Sequence, residues 1–266
     1  MPAQRPIGLA HLSAMELEPH ALIDLAHDVG CASVALRLHS AAPGTPVYEV
    51  EPDSPELTAL MHHSALREVA ISEVELVPIT ADLVVEGLRP LMAVARALAA
   101  TGVIVTGDIA DAETLREKFT EVCRLAGDHG LLVHLEFMRW RHIGTLSQAA
   151  RLVQASGQDN ARVLVDLLHL IRSGGTVADL LALPAGTVSL VQICDAQAEL
   201  IGDIIDEARG GRLMPYTGAL PIDAALAALG PDVDWALELP GLGDGDARKR
   251  ALKQSVSAMQ TAGVVA

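Results

Sequence analysis

Short apolar runs alternate with amphipathic stretches along the whole chain, and this rhythm predicts strand followed by helix, repeated. Ile7–Leu12 reads as a first strand, Cys31–Leu38 as a second and Ala70–Ile79 as a third. Val103–Gly107, after Gly102, makes the fourth, Leu131–Phe137 the fifth and Arg162–Leu167 the sixth. Val188–Cys194 and Asp234–Leu239 complete a set of eight. Several of these runs lack the polar alternation of a half-exposed strand, as expected when both faces of a parallel sheet are covered. Between them, helical spacing marks 17–29, 55–68, 111–129, 145–156, 221–229 and about 246–262. Ser54 is placed as an N-cap with Pro55 at the first helical position, and Asp111 or Asp108 as a later cap. A long helix is expected to run to about residue 100 with a kink at Pro90. The segment 40–54 contains Pro and Gly and is long enough to form a lid or rim.

Eight strands, each followed by a helix or helical stretch, predict a single-domain α/β protein, a (β/α)8 TIM barrel over residues 1–266. The rival is an open doubly wound sheet. It ordinarily carries a glycine-rich first turn, whereas the first strand here continues into AHLSAMELEP without GxGxxG. The length suits one such barrel, typically about 250 residues.

Half of the residues are apolar and only 2% are aromatic, so Leu, Val, Ile and Ala must fill the core. The formal charge of −15 opposes binding to nucleic acid or to an anionic membrane surface. No charged segment followed by a long apolar one stands at the amino terminus, and no apolar stretch reaches the ~20 residues of a bilayer span. These features suit a soluble cytoplasmic protein acting on a small molecule, with a homo-dimer or homo-tetramer left open. Cys31, Cys123 and Cys194 are far apart and form no CxxC pair, so they read as small buried hydrophobes.

The chemistry lies where the strands end. Glu136 closes LLVHLEF, Asp166 closes RVLVD, Gln192 lies in VSLVQIC and Glu238 in DWALEL. A charge facing the apolar helix layer would be costly, so each should point into the barrel, at its carboxyl-terminal mouth. Three carboxylates converging there repel one another, and a bound cation removes that cost. All-oxygen ligands including an amide favour Mg²⁺ or Mn²⁺, with Co²⁺ also compatible. The alternative for each acid is an ion pair with Arg139, Arg172, Arg209 or Arg212. His11 and Arg37, at the ends of the first two strands, are candidate substrate contacts, as are Glu75 on the third and Trp140 after the fifth. His134, two residues before Glu136, is expected to be a hydrogen-bonded core histidine. His62 and His63 are adjacent on a helix and point apart, which disfavours a metal pair.

From Glu136 onward the chain resembles the xylose-isomerase-like barrel superfamily, the sugar phosphate isomerase/epimerase proteins. The resemblance rests on Glu136, then Asp166-Leu-Leu-His169, then Gln192-Ile-Cys-Asp195, then Glu238, and on Arg212-Leu-Met-Pro215-Tyr-Thr-Gly218. It implies Glu136, Asp166, Gln192 and Glu238 as metal ligands, with Arg212 contacting substrate. Glu136 and Glu238 would also flank the substrate, one removing a proton beside a carbonyl and the other returning one. His169 would hydrogen-bond a substrate oxygen or shuttle a proton. Two departures stand out. The third ligand is Gln where sugar epimerases usually carry His, which resembles the 3-dehydroshikimate dehydratases. The Pro-Gly-x-Gly turn reads Pro215-Tyr216-Thr217-Gly218. The resemblance therefore implies a divalent-metal sugar isomerase or epimerase, with a metal-dependent lyase as the alternative and a ligand-binding barrel without turnover as a third reading.

Overall fold

Strands that are apolar on both faces need cover on both, and here the sheet closes on itself to provide it. The computed structural model describes residues 5–42 and 44–262. Its eight parallel strands form a closed barrel in chain order: β1 (Ile7–Leu9), β2 (Ser33–Arg37), β3 (Ala70–Ile79), β4 (Gly102–Gly107), β5 (Leu132–Glu136), β6 (Ala161–Asp166), β7 (Val188–Ile193) and β8 (Asp234–Leu237). Closure comes from β8 pairing with β1, with Gly8 opposite Ala236 and Leu9 opposite Leu237.

The helices form the outer layer: α1 (Pro19–Val29), α2 (Pro55–Arg67), α3 (Arg89–Ala97), α4 (Ala112–Asp128), α5 (Leu146–Ser156), α6 (Leu167–Arg172), α7 (Val177–Leu181), α8 (Ile204–Gly210), α9 (Ile222–Leu229) and α10 (Gly245–Ala262). Their starts follow local chemistry. The Ser54 hydroxyl accepts from Leu57 N at 3.0 Å and the Asp111 carboxylate from Thr114 N at 2.9 Å, each capping a helix with orphan amides.

The structure departs from the apolar pattern in four places. The first strand ends at Leu9, and His11–Ala14 form a 3-10 turn. Pro90 does not kink a long helix; it sits in the first turn of α3, where its missing N–H costs nothing. Residues 85–88 before it are a 3-10 turn. Between β6 and β7, where the pattern gives no helix bounds, the chain forms two short helices, α6 and α7.

Two apolar regions result. The larger fills the space between barrel and helices, with Phe119, Leu22, Met92 and Val163 among its fully buried members. A smaller one lies inside the barrel: Leu76, Ile104, Leu164, Leu190 and Ala236. Full burial of such side chains contributes about 1.5–3 kcal/mol each for Leu or Ile. Because side chains alternate along a strand, Asp166, Gln192 and Glu238 follow Leu164, Leu190 and Ala236 by two positions and project above that apolar layer. β3 breaks its register against β4 between Val74 and Val77, so Leu76 joins the inner layer while its neighbour Glu75 reaches the cavity above.

Candidate metal centre at the barrel mouth

Above the inner apolar layer lies a cavity of about 240 Å³, lined in part by Arg37, Glu75, Glu136, Trp140, His169, Gln192, Arg212 and Glu238. Asp166 sits behind this lining and is wholly buried. Its position is fixed twice. One oxygen accepts from His169 N at 2.9 Å and caps α6; the other takes Nη1 of Arg212 at 2.5 Å. The Asp-x-x-His spacing is therefore also a helix cap, and it turns His169 back over the site.

Glu136, Asp166 and His169 each bring one ligand atom within 4.8 Å of the others. His169 Nε2 lies 3.6 Å from Glu136 Oε1, and its ring meets Trp140 edge-on with centroids 5.0 Å apart. Gln192 Oε1 is buried with no hydrogen-bond partner. Glu238 is drawn instead to Arg212, whose Nη2 approaches its Oε2 at 2.8 Å, although the approach is too oblique for a well-formed hydrogen bond.

The electrostatics follow from burial. Burial, then the neighbouring Asp166 charge, push the Glu136 carboxyl up to about 8, against the pull of Arg212. Burial likewise lifts Glu238 well above the carboxylate range, with Arg212 opposing. Burial works against ionised Asp166 too, but the Arg212 charge, with hydrogen bonds from Glu238 and Arg212, outweighs it and holds this carboxyl below its ordinary value. Burial lowers His169 to about 4, so the imidazole is neutral at physiological pH.

Three carboxylates thus share the mouth with one guanidinium and a neutral histidine, while Arg37 and Glu75 compensate each other at 3.1 Å. One guanidinium cannot balance three ionised carboxylates, so Glu136 and Glu238 are driven to hold protons, and among the described residues the Gln192 amide oxygen has no donor. Both needs are met by a hard or borderline divalent cation, so the residues present fit one. Glu136, Asp166, Gln192 and Glu238 are the oxygen donors available, and His169 adds a nitrogen within the same cluster.

Of the expected substrate contacts, Arg37, Glu75, Trp140 and Arg212 all border the cavity. His11 is not among its lining residues: it is fully buried, Nδ1 accepts from Arg37 N at 2.8 Å, and Nε2 lies 2.9 Å from Leu17 O. With both nitrogens engaged and its ring stacked on Tyr48, it braces the second strand and does not line the cavity. The ion-pair alternative holds for Asp166 and Glu238, both against Arg212. Arg172 pairs with Glu207 instead, Arg139 donates to Arg172 O, and Arg209 stands at the cavity rim. His134 is buried, but neither ring nitrogen has a hydrogen-bond partner, and Nδ1 lies 3.8 Å from Glu73. Asp195, which ends the Gln192-Ile-Cys-Asp195 run, holds a loop together, its carboxylate accepting from Ala196 N, Gly218 N and Leu220 N at 2.8–2.9 Å. The three cysteines are free and buried.

A family model described as xylose isomerase-like TIM barrel matches residues 23–262. An inosose isomerase of Halalkalibacterium halodurans is 29% identical over 112 residues, which cover 41% of this chain and 39% of that protein. The alignment thus spans well under two thirds of that relative. Among solved structures, an IolI protein with a bound zinc atom superposes with a TM-score of 0.76 at 18% identity, over 98% of this chain and 97% of that one. A probable 3-dehydroshikimate dehydratase, AsbF of Bacillus anthracis, gives 0.72 at 15% identity, over 95% and 98%. At such identities these likenesses speak to the fold. The chain belongs to the xylose isomerase-like TIM barrel family.

Proposed function

We propose that this xylose isomerase-like barrel is a divalent-metal-dependent isomerase or epimerase of a sugar or related polyhydroxy carbonyl compound. The observation that carries the reading is the buried convergence of Glu136, Asp166 and His169 beside the unpartnered Gln192 amide, opening on a cavity of about 240 Å³. That volume lies below the ~300–1,000 Å³ of drug-sized ligand sites and suits a small metabolite. The inosose isomerase similarity points to a cyclic polyol ketone as a first substrate to try.

When bound, the ion supplies Lewis-acid stabilisation of the charge that develops on a carbonyl oxygen; Mn²⁺ or Mg²⁺ is our assignment, with Co²⁺ compatible. The residues of the chain do the rest. Glu136 and Glu238 stand on β5 and just after β8, and in our reading flank the substrate carbon. One takes a proton from the carbon beside the carbonyl and the other delivers one. Neutral His169, 3.6 Å from Glu136, holds a substrate hydroxyl or passes a proton. Trp140 forms an apolar wall that limits water. Among the described residues no helix is long and apolar enough to cross a membrane. We assign a cytoplasmic location on the three free cysteines.

Gln192 favours a second reading, a dehydratase acting on a hydroxy-keto acid. It would share the proton abstraction and then expel water. Incubation with inosose-like ketones, ketoses and dehydroshikimate in deuterated water, with Mn²⁺ or Mg²⁺, separates the two. Isomerisation or epimerisation puts deuterium on carbon; dehydration gives a conjugated product with rising ultraviolet absorbance. Metal-replete protein that yields neither with any of these compounds refutes both readings.

A further inference from the structure

Arg212 is the most heavily engaged side chain at the mouth. Its side chain is 1% exposed. Nε donates to Ala208 O at 2.8 Å, Nη1 to Asp166 at 2.5 Å and, more weakly, to Cys194 Sγ at 3.4 Å, while Nη2 faces Glu238 at 2.8 Å. The resemblance assigns this arginine to substrate, yet its charge is spent on two of the four expected metal ligands.

A buried carboxylate without a cation is costly. Of the three site carboxylates, Asp166 and Glu238 are the two that the guanidinium serves. Glu136 has no arginine against it and instead shares the convergent cluster with Asp166 and His169. Glu238 stands outside that cluster, turned to Nη2. A cation using all four oxygen donors needs Glu238 oxygen back, and it brings two positive charges beside a guanidinium buried where screening is weak. The two cations compete for the same carboxylates. The Nε anchor on Ala208 O depends on neither carboxylate, so the fork can leave Glu238 while the loop stays in place.

We propose that Arg212 is an exchangeable counter-cation: it balances Asp166 and holds Glu238 in the metal-free protein, and a divalent ion displaces it from Glu238. This rests on the metal-dependent reading above and adds a residue that sets metal affinity. The competition predicts that removing the guanidinium makes the ion bind more tightly, whereas a mere supporting contact predicts weaker binding.

The test is calorimetric titration of Mn²⁺ into metal-stripped wild-type protein, Arg212→Met and Arg212→Lys. The expected result is an affinity at least about tenfold higher for Arg212→Met, with Arg212→Lys between. Without metal, Arg212→Met should melt lower than wild type, and with metal it should recover most of the loss. Wild-type binding with an equal or weaker affinity in Arg212→Met overturns the exchange alone. No binding by either protein overturns the metal-dependent reading itself, and the exchange with it. A measurement on wild type covers the case in which the methionine variant does not fold. The Arg212 guanidinium protons, assigned by their loss in Arg212→Lys, should give slowly exchanging NMR signals that shift or broaden on adding Zn²⁺; signals unchanged at saturating Zn²⁺ overturn the exchange.

Discussion

Replacing Glu73 by Gln should make the stability of this barrel less sensitive to pH. Glu73 is 2% exposed, inside the barrel, with His134 Nδ1 3.8 Å away. Burial pushes its carboxyl from an ordinary 4.5 up to about 8, and a Ser72 hydrogen bond offsets this only in part. Below pH 4.5 Glu73 is protonated in the folded and the unfolded chain alike, and its fit costs no ionisation. Between 4.5 and about 8 the unfolded chain gains by ionising and the folded one does not. The contribution to stability is therefore lost as pH rises through this window, and the loss is complete above 8. At about 1.4 kcal/mol per pKa unit, the change from pH 5 to pH 9 amounts to at most about 4 kcal/mol. Gln has the same shape and no proton to lose. Burial keeps His134 neutral over this range, down to about 4, in both proteins, so its contribution cancels in the difference. Urea unfolding at pH 5, 7 and 9, followed through the two tryptophans, should show wild type losing about 2–4 kcal/mol relative to Glu73→Gln. A difference that stays constant within about 0.5 kcal/mol refutes the reasoning.

Two further outcomes follow from the site and its rim. Glu136→Gln and Glu238→Gln should each lower kcat by at least about 100-fold with an unchanged far-ultraviolet spectrum, since each removes a proton-transfer group; a variant keeping a tenth of the activity contradicts its assigned role. Gly218→Ala would set its methyl 2.5 Å from Asp195 Oδ1 and closer still to Ala196 O, so the rim loop must move. A cost of about 1–3 kcal/mol and a raised KM are expected, and an unchanged melting temperature and KM would show that the loop yields freely.

Much of the barrel is legible in the chain because its strands are strongly apolar and bounded by caps. β3 spans Ala70–Ile79 as its apolar run predicts, and Ser54 and Asp111 cap the helices assigned to them. The failures have local causes. Asp166 ends β6 and caps α6 at once, so DLLHLIR carries no turn signal between strand and helix, and its apolar residues fit either period. The helical pattern around Pro90 extends upstream of the true start of α3; a proline in a first turn and one in a kink look alike until that start is known. At the site, strand alternation turns the four donors inward, because a charge has no home in the helix layer. Pattern alone does not reveal that Arg212, 46 residues from Asp166, would reach both it and Glu238. The burial of His11 escapes it as well. Its ring is taken up by Leu17 O and Arg37 N, partners that strand alternation does not indicate.

The two loops that frame the cavity are tethered very differently. Residues 213–220 hang from Asp195, which gathers three amides and a reciprocal backbone bridge to Leu213. Across the opening, among the described residues, Ala42 and Thr45 bond to each other and to Ser40, and the segment is anchored at its two ends, where His39 Nδ1 lies 3.3 Å from Leu76 O and the Tyr48 hydroxyl donates to Met15 O. One wall is thus a fixed jaw and the other a self-contained flap. Exchanging the flap for that of another family member should retune which molecule is admitted while the donor geometry beneath survives.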